Sequence, residues 1–303
     1  MTTTETGPGA PDVLRYTAFS SDPDGGNPAG VVLDASGLDE ARMLAVAAEV
    51  GYSETAFLTP APDGDGDGDA APGRGFAVRY FSPAAEVPFC GHATVAAAVA
   101  LAERTGPGEL VFATPAGTVP VTVTEDGGAL RATLTSVEPY VADIAGDDLA
   151  EALAALGWQA GELDPALPAR IAYAGARHLV LGAATRERLA ALDYDFERLR
   201  ALMLRLDLTT LQLVWREGEP GGGRDTVFHV RDPFPVGGVV EDPATGAAAA
   251  AFGGYLRALG LITAPAVLTL HQGHDMGRPG LLEVELREGD PRVRVSGAAA
   301  RIG

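Results

Sequence analysis

Two short polar segments, each followed by a run of alanine, carry the residues best suited to chemistry. Cys90, Gly91 and His92 precede the first run, and Glu241-Asp242-Pro243-Ala244-Thr245-Gly246 precedes the second. A helix N-terminus presents unpaired backbone N–H groups and the positive end of the helix dipole, so it attracts anions. The matched pair therefore predicts a cleft that binds a small carboxylate-bearing molecule from both sides. Two buried helices with ordinary polar turns are the alternative interpretation.

A proton-transfer reaction needs a group that can accept a proton and return it. Glu54 stands in a predicted turn before the apolar residues Ala56–Leu58, and an apolar environment raises the pKa of a carboxyl group towards neutrality. Glu54 is the candidate general base and acid; a partly exposed loop glutamate is the alternative. His92 could donate a hydrogen bond or a proton, or cap the first helix. Asp242, held extended by Pro243, could orient His92, hold a substrate amine or hydroxyl, or cap the second helix.

Length and composition indicate a globular protein of two domains. The chain has 303 residues, 47% of them hydrophobic, which is enough for two domains of about 150 residues each. No apolar run approaches the roughly 18 residues of a membrane span. Met1–Pro11 has neither a basic nor an apolar region and predicts a frayed tail rather than a signal peptide. With a single cysteine, Cys90, the expected compartment is the cytoplasm.

Charge and the absence of lysine exclude several functions. The net charge of −19 repels a phosphate backbone, so no nucleic-acid partner is expected. All 22 basic residues are arginine, which excludes a lysine Schiff base and a Walker A loop. A small anionic substrate remains compatible, because local N–H donors outweigh a distant, screened field.

Metal and cofactor sites find little support. The loop Asp63–Asp69 alternates Asp and Gly, but Arg74 stands where an EF-hand needs its glutamate, so we interpret it as a solvated hairpin loop. The five histidines form no His-x-x-x-His pair, and Cys90 has no CxxC partner. Gly221–Gly223 follows no Rossmann-type strand and predicts a turn or linker. The sequence thus predicts no metal and no cofactor.

Hydrophobic periodicity predicts many short strands and a few helices, in two similar halves. Helices are predicted at Asp39–Val50, Gly146–Leu156, Phe196–Leu206 and in the two alanine-rich segments. Strands are predicted at Val13–Phe19, from Gly30, and at Phe76–Phe81, Leu110–Ala113, Val119–Thr124, Leu130–Leu134, within Ile171–Leu181, and at Leu211–Trp215, Thr226–Val230, Val267–His271, Leu281–Leu286 and Arg292–Ser296. Asn27–Gly30 is predicted to be a turn. The predicted fold class is α+β.

Five motifs, in order and spacing, resemble the phenazine biosynthesis PhzF-like family, which is related to diaminopimelate epimerase. They are Asn27-Pro28-Ala29-Gly30, Ser53-Glu54-Thr55-Ala56-Phe57, Arg79-Tyr80-Phe81-Ser82-Pro83 through Glu86 to Thr94, Glu241 to Gly246, and Met276-Gly277-Arg278-Pro279. The Gly-His-x-Thr and Glu-Asp-Pro-x-Thr-Gly motifs together are specific, and the resemblance runs from about Val13 to the end of the chain.

The resemblance implies two similar lobes, each with a mixed, mostly antiparallel barrel-like sheet around a central helix. The lobes would comprise residues 12–135 and 136–303, with the final strand free to return to the first lobe. It also implies a cofactor-free, usually dimeric isomerase whose site lies between the lobes. Glu54, His92 and Asp242 would be catalytic, and the substrate would be bound by Ser53, Gly91, Ala93, Thr94, Thr245, Gly246 and Ala247. Arg79 and Arg278 could bind a carboxylate or tie the lobes together.

The chain also departs from this pattern. Epimerases of the wider fold use two cysteines; Cys90 resembles the first, but Ala244–Gly246 offers no second thiol. Ala247 stands where many relatives have serine, which leaves the substrate open. We therefore expect a cofactor-independent isomerase of a small carboxylate, similar to trans-2,3-dihydro-3-hydroxyanthranilate isomerase. An amino-acid or hydroxy-acid epimerase or racemase and a non-catalytic binding protein are the alternatives.

Overall fold

The computed structural model describes residues 11–61, 73–218 and 226–303. Met1–Ala10 and the loops containing Asp63–Asp69 and Gly221–Gly223 lie outside these residues, and so do the predictions made for them. The described chain folds into two compact units. One contains residues 11–23, 28–61, 73–132 and 298–303; the other contains 24–27, 133–218 and 226–297. The sequence placed the boundary between residues 135 and 136 and did not foresee the segment 24–27.

The first part of the chain is rich in strands and has two helices. In chain order they are β1 (Leu14–Ala18), β2 (Asn27–Val32), α1 (Glu40–Val50), β3 (Glu54–Pro60), β4 (Gly75–Phe81), β5 (Glu86–Val87), α2 (Gly91–Thr105), β6 (Gly108–Thr114), β7 (Gly117–Asp126) and β8 (Ala129–Thr135).

The second part is also rich in strands, and its described residues form four α-helices, two more than in the first part. In chain order they are β9 (Tyr140–Ala142), α3 (Gly146–Leu156), β10 (Arg170–Tyr173), β11 (Arg177–Gly182), α4 (Arg186–Ala190), α5 (Phe196–Leu206), β12 (Thr210–Arg216), β13 (Val227–Pro233), β14 (Glu241–Asp242), α6 (Gly246–Ala258), β15 (Ala266–Gln272), β16 (Gly280–Leu286) and β17 (Val293–Arg301). Short 3-10 turns lie at Ala160–Glu162, Pro235–Gly237 and His274–Met276.

The predicted α+β class is confirmed, and the strand pairing shows that the two parts share a topology. In the first, β4 and β6 pair in parallel, with α2 connecting them. In the second, β13 and β15 pair in parallel, with α6 connecting them. Each part has one more helix-connected parallel pair, β2 with β3 and β11 with β12, among mostly antiparallel neighbours. Each unit thus has a mixed, mostly antiparallel barrel-like sheet around a central helix.

The two alanine-rich helices are these central elements. From His92 to Ala102 every residue of α2 is buried, and α2 contacts β1, β3 and β7. α6 contacts β9 to β12 and β16. Small side chains let strands approach closely: a Cβ atom added at Gly253 would lie 2.7 Å from Cγ1 of Val284. Among the described residues, no helix is long and apolar enough to cross a membrane.

Most predicted elements are confirmed, and the turns predicted at Asn27–Gly30 and at Glu54 are wrong. Asn27–Gly30 is not a turn but the start of β2, since Pro28 is compatible with an extended strand, and a Cβ atom at Gly30 would lie 2.6 Å from Oγ1 of Thr55. Because Gly30 has no side chain, β3 can lie close to β2 at this position. The segment Ile171–Leu181, predicted to contain a strand, contains most of β10 and β11, which pair in antiparallel orientation.

Candidate active site

Glu54 is the first residue of β3 rather than part of a turn, and the Asn-Pro-Ala-Gly segment fixes its position. Ala29 of β2 is its register partner, and the residues that follow it, Thr55 to Leu58, are fully buried. The Glu54 side chain keeps 15% of its surface exposed. Burial raises the pKa of Glu54, and hydrogen bonds from Ser53 and Cys90 oppose part of that rise. A carboxyl group in this environment holds a proton more readily than a solvated one, which suits it to taking up a proton and returning it.

His92 lies beside Glu54, at the start of α2. Its Nε2 atom is 3.4 Å from Oε2 of Glu54 and 3.4 Å from Oγ of Ser53. Its Nδ1 atom is 3.3 Å from Sγ of Cys90, which lies 3.6 Å from Oε2 of Glu54. Cys90, not His92, occupies the N-cap position of α2, so the capping role considered for His92 is wrong. Glu54, Cys90, His92 and Ser53 form what we call the Glu54 cluster.

Thr94 stabilises the turn that carries the Glu54 cluster. Its hydroxyl donates to the carbonyl oxygen of Cys90 at 2.7 Å and contacts the hydroxyl of Tyr80 at 2.6 Å. Gly91 is partly exposed and Ala93 is buried. The hydroxyl of Thr94 is engaged within the protein, and a substrate contact for Thr94, Gly91 or Ala93 stays a prediction.

Asp242 is the last residue of β14 in the second unit, and a short turn connects it to α6. Its two carboxylate oxygens accept hydrogen bonds from Nδ2 of Asn27 at 2.8 Å and from Oγ1 of Thr245 at 2.5 Å. Nδ2 of Asn27 also donates to the carbonyl oxygen of Ala244 at 3.0 Å. Thr245 is the N-cap residue of α6, so the capping role considered for Asp242 is wrong. Asp242 is instead fixed by the Asn of the first motif and by Thr245.

Gln272, at the end of β15, connects this turn to a second carboxyl group. Its Oε1 accepts from the backbone N–H of Thr245 at 3.0 Å, and its Nε2 donates to the carbonyl of Asp242 and to Oδ2 of Asp232, each at 2.9 Å. Asp232 is fully buried opposite Asp242 in the β13–β14 pair. Burial, with the negative charges of Asp242 and Glu241, raises the pKa of Asp232 well above its usual range. Asn27, Asp232, Asp242, Thr245 and Gln272 form the Asp242 cluster.

Sequence reasoning missed three members of the Asp242 cluster. Asn27 belongs to the Asn-Pro-Ala-Gly motif, and its position before Pro28 was the sequence feature that could have indicated its role. Asp232 and Gln272 end two ordinary apolar strands, so only the three-dimensional pairing of β13 with β14 and β15 reveals them.

The entrances of α2 and α6 share a further property. Within the described residues, neither N-cap side chain, Cys90 or Thr245, forms a capping hydrogen bond. Gly246 is buried and Ala247 partly exposed at the start of α6. Anion binding at the two first turns stays a prediction.

Both candidate arginines have partners within their own units. Arg79 forms a bidentate ion pair with Glu86, both distances 2.6 Å, and contacts Glu40 at 2.9 Å. Arg278 donates to the carbonyl oxygens of Gly25 and Gly26 at 2.7 and 2.9 Å. Arg278 thereby holds the short segment 24–27 that carries Asn27.

Comparison with known proteins identifies the family of the chain. A family model described as "Phenazine biosynthesis-like protein" matches residues 16–302. The chain is 32% identical over 290 residues to trans-2,3-dihydro-3-hydroxyanthranilate isomerase of Pseudomonas fluorescens, covering 94% of this chain and 95% of that protein. It is 33% identical over 301 residues to the uncharacterized isomerase YddE of Escherichia coli K12, covering 95% of each.

Solved structures show the same fold. The PhzF-family phenazine biosynthesis protein of Bacillus anthracis matches with a TM-score of 0.82 and 25% identity over 96% of each chain. A probable proline racemase of Agrobacterium radiobacter shares the fold at 15% identity and a TM-score of 0.62, covering 95% of this chain and 89% of its own. The similar proteins found by sequence carry isomerase names. The chain belongs to the phenazine biosynthesis-like family and resembles its isomerases.

Proposed function

We propose that the protein is a cofactor-independent isomerase that moves a proton on a small carboxylate-bearing metabolite. The observation that carries the proposal is the environment of Glu54, a mostly buried carboxyl group with a raised pKa in contact with His92. General acid–base groups act best when their pKa lies near the working pH, and burial moves Glu54 in that direction.

In the proposed reaction, the Glu54 carboxylate removes a proton from a substrate carbon whose electron pair is delocalised as an enolate or a stabilised carbanion. Glu54 is then protonated and returns the same proton to a different carbon, so the reaction needs no external acid. His92 donates a hydrogen bond to the substrate or to Glu54. Nε2 of His92 lies 3.4 Å from Oγ of Ser53 and from Oε2 of Glu54, which is long for hydrogen bonds between nitrogen and oxygen, and these contacts would shorten around a bound substrate.

The substrate form we propose is a ring like trans-2,3-dihydro-3-hydroxyanthranilate, the molecule after which the Pseudomonas fluorescens relative is named. Its carboxylate would bind the backbone N–H groups at the start of a central helix, near Gly91–Ala93 or Gly246–Ala247. Asp242 would hold the substrate amine or hydroxyl. Ala247 lacks a hydroxyl, so a substrate with one polar group fewer fits this chain equally well.

An epimerase or racemase of an amino or hydroxy acid is the second candidate, because proteins of this fold include a probable proline racemase. A two-thiol mechanism is unsuited to this chain. Cys90 is its single cysteine, and the hydroxyl of Thr245, near the second expected position, is bound to Asp242.

The test is a panel of cyclic and amino-acid carboxylates incubated with the protein in deuterated water, with NMR detection of hydrogen exchange and double-bond migration. The proposal predicts migration in a cyclic dihydro acid, abolished by Glu54→Gln, not lowered by EDTA and unaffected by added nicotinamide. Exchange at one carbon with inversion would select the epimerase instead. If no carboxylate in the panel shows exchange but the same carboxylates raise the melting temperature, the protein is a binding protein of this fold and not an isomerase.

We further propose a homodimer in the cytoplasm, as the family resemblance implies. Light scattering coupled to size-exclusion chromatography tests the assembly: a mass near twice 31.0 kDa supports it, and a single-chain mass overturns it.

A further inference from the structure

The Glu54 cluster has a geometry that proton transfer alone does not require. Oε2 of Glu54, Sγ of Cys90 and Nε2 of His92 form a compact triangle, with sides of 3.4 Å from oxygen to nitrogen, 3.6 Å from sulfur to oxygen and 3.8 Å from sulfur to nitrogen. In the described part of the chain, this is the one group of three or more potential metal ligands whose donor atoms all lie within 4.8 Å of one another.

These separations resemble the edges of a tetrahedral zinc site. Zinc binds thiolate sulfur at about 2.3 Å and imidazole nitrogen or carboxylate oxygen at about 2.0–2.2 Å. At tetrahedral angles, those bond lengths place oxygen and nitrogen about 3.3 Å apart and sulfur about 3.5 Å from either. The three observed distances exceed these values by a few tenths of an ångström at most. Side-chain rotation is therefore enough to close the ligands around an ion.

The backbone supports such a site. Glu54 begins β3, Cys90 is the N-cap residue of α2, and His92 lies in the first turn of α2. Ligands on regular elements hold their geometry better than ligands on loops. The donor set of sulfur, nitrogen and one carboxylate oxygen selects zinc over magnesium and calcium, which prefer all-oxygen sites.

We propose that Glu54, Cys90 and His92 bind one Zn²⁺ ion, with the fourth position open to water. The Cys90 thiol loses its proton to solvent when the Zn–S bond forms. This inference departs from the sequence, which predicted no metal site because its ligands are 36 residues apart at Glu54 and Cys90 and match no spacing motif.

Bound zinc inhibits the reaction assigned above, a consequence that rests on the proposed function. A carboxylate that coordinates zinc is much less basic than a free one, and an imidazole whose Nε2 coordinates zinc cannot donate a hydrogen bond from that nitrogen. The ion is thus an inhibitor, whereas the free cluster is the catalyst. Zinc binding itself does not depend on the reaction.

A separate cluster of three histidines can also attract metal ions, so any test must distinguish it from the Glu54 cluster. His229, His271 and His274 have ring centroids 5.0 to 6.2 Å apart, and Glu217 lies 3.5 Å from His229. Three imidazoles attract transition metals too, but this cluster contains no sulfur. His271→Gln is therefore the matched control, since it removes an imidazole from the other cluster only.

The experiment titrates the untagged, reduced protein with Co²⁺, a spectroscopic substitute for Zn²⁺, and then displaces it with Zn²⁺. Cys90 is the single cysteine, so a thiolate-to-cobalt charge-transfer band can arise only from this site. We expect the band to saturate at one ion per chain and to disappear on addition of one equivalent of Zn²⁺. Glu54→Gln and His92→Gln should each weaken Zn²⁺ binding by at least about tenfold, as measured by competition with a chromophoric chelator, and His271→Gln should leave band and affinity unchanged.

Two results would overturn the proposal: no charge-transfer band at saturating Co²⁺, or Zn²⁺ affinity lost in His271→Gln and retained in both cluster variants. Circular dichroism verifies that each variant is folded, and Cys90→Ser supplies a third variant if one fails. All of these measurements use the protein without substrate. They therefore test the metal site whether or not isomerase activity is found. If activity is found and zinc binds without inhibiting it, the role assigned to Glu54 fails while the metal site stands.

Discussion

The entrances of the two central helices occupy equivalent places in the topology but differ in how their polar groups are bound. In the Glu54 cluster, Nε2 of His92 lies 3.4 Å from Oε2 of Glu54 and 3.4 Å from Oγ of Ser53. In the Asp242 cluster, side-chain hydrogen bonds run from 2.5 to 3.0 Å. Short, saturated hydrogen bonds hold a group in one position, whereas long contacts leave it able to change partners. We therefore propose proton movement for the first cluster and positioning for the second.

The largest expected effect follows from exchanging the carboxyl group of Glu54 for an amide. Glu54→Gln should lower the rate of substrate proton exchange by about 100-fold to 10,000-fold, because general acid–base groups contribute that much and an amide cannot cycle a proton. The melting temperature should stay close to that of the parent. NMR in deuterated water measures the rate, and Glu125→Gln, at an exposed position of β7, is the matched control. More than a tenth of the parent rate would remove Glu54 from this role.

The second expected effect is on stability and belongs to the Asp242 cluster. Gln272→Ala removes the acceptor of the Thr245 N–H and the side-chain donor to the Asp242 carbonyl, and it takes one of its donors from the buried Asp232. Each unsatisfied buried group costs about 1–3 kcal/mol. We expect a loss of about 3 kcal/mol in the free energy of unfolding, measured by urea denaturation. Thr269→Ala, on the same strand, should cost less than about 0.5 kcal/mol. An equal effect of the two variants would contradict the positioning role of Gln272.

The same contrast explains what the sequence could and could not predict. The sequence predicts α1, α3 and α5 because amphipathic patterns and helix caps are local features. Residue type and family motif likewise indicate Glu54, His92 and Asp242 as candidate site residues. The turn predicted at Asn27–Gly30 was wrong because Asn-Pro-x-Gly is also compatible with a strand whose glycine admits a neighbour. Two partners of Asp242, Asn27 of β2 and Gln272 of β15, are far apart in sequence, and no local pattern encodes their pairing.

A third, smaller effect concerns a buried titratable group of the second unit outside the cluster. His178 is fully buried beside Thr210, and burial lowers the pKa of His178 from 6.5 to about 3. The unfolded chain therefore takes up a proton at higher pH than the folded one. Stability should fall as pH decreases from about 6.5 towards 3, by at most about 1.4 kcal/mol per pH unit from this residue.

Urea denaturation of the parent and of His178→Asn between pH 6.5 and 4.5 isolates this contribution. The amide keeps a hydrogen-bonding group beside Thr210 but does not titrate, so the pH dependence of the variant should be shallower. Parallel curves for the two proteins would show that His178 is not buried in its neutral form.

The smallest effect compares the two threonines at the helix entrances. The hydroxyl of Thr94 donates to a neutral backbone carbonyl, and that of Thr245 donates to the carboxylate of Asp242. Hydrogen bonds between neutral groups contribute about 1 kcal/mol to stability and those to charged groups about 1.5–3 kcal/mol. Thr245→Val should therefore destabilise the protein by about 1 kcal/mol more than Thr94→Val in urea denaturation. Thr245→Ser should restore most of that loss, since it keeps the hydroxyl. Equal losses in the two valine variants would mean that the Asp242 cluster is held no more firmly than the Glu54 cluster, and the division into a mobile and a fixed entrance would fail.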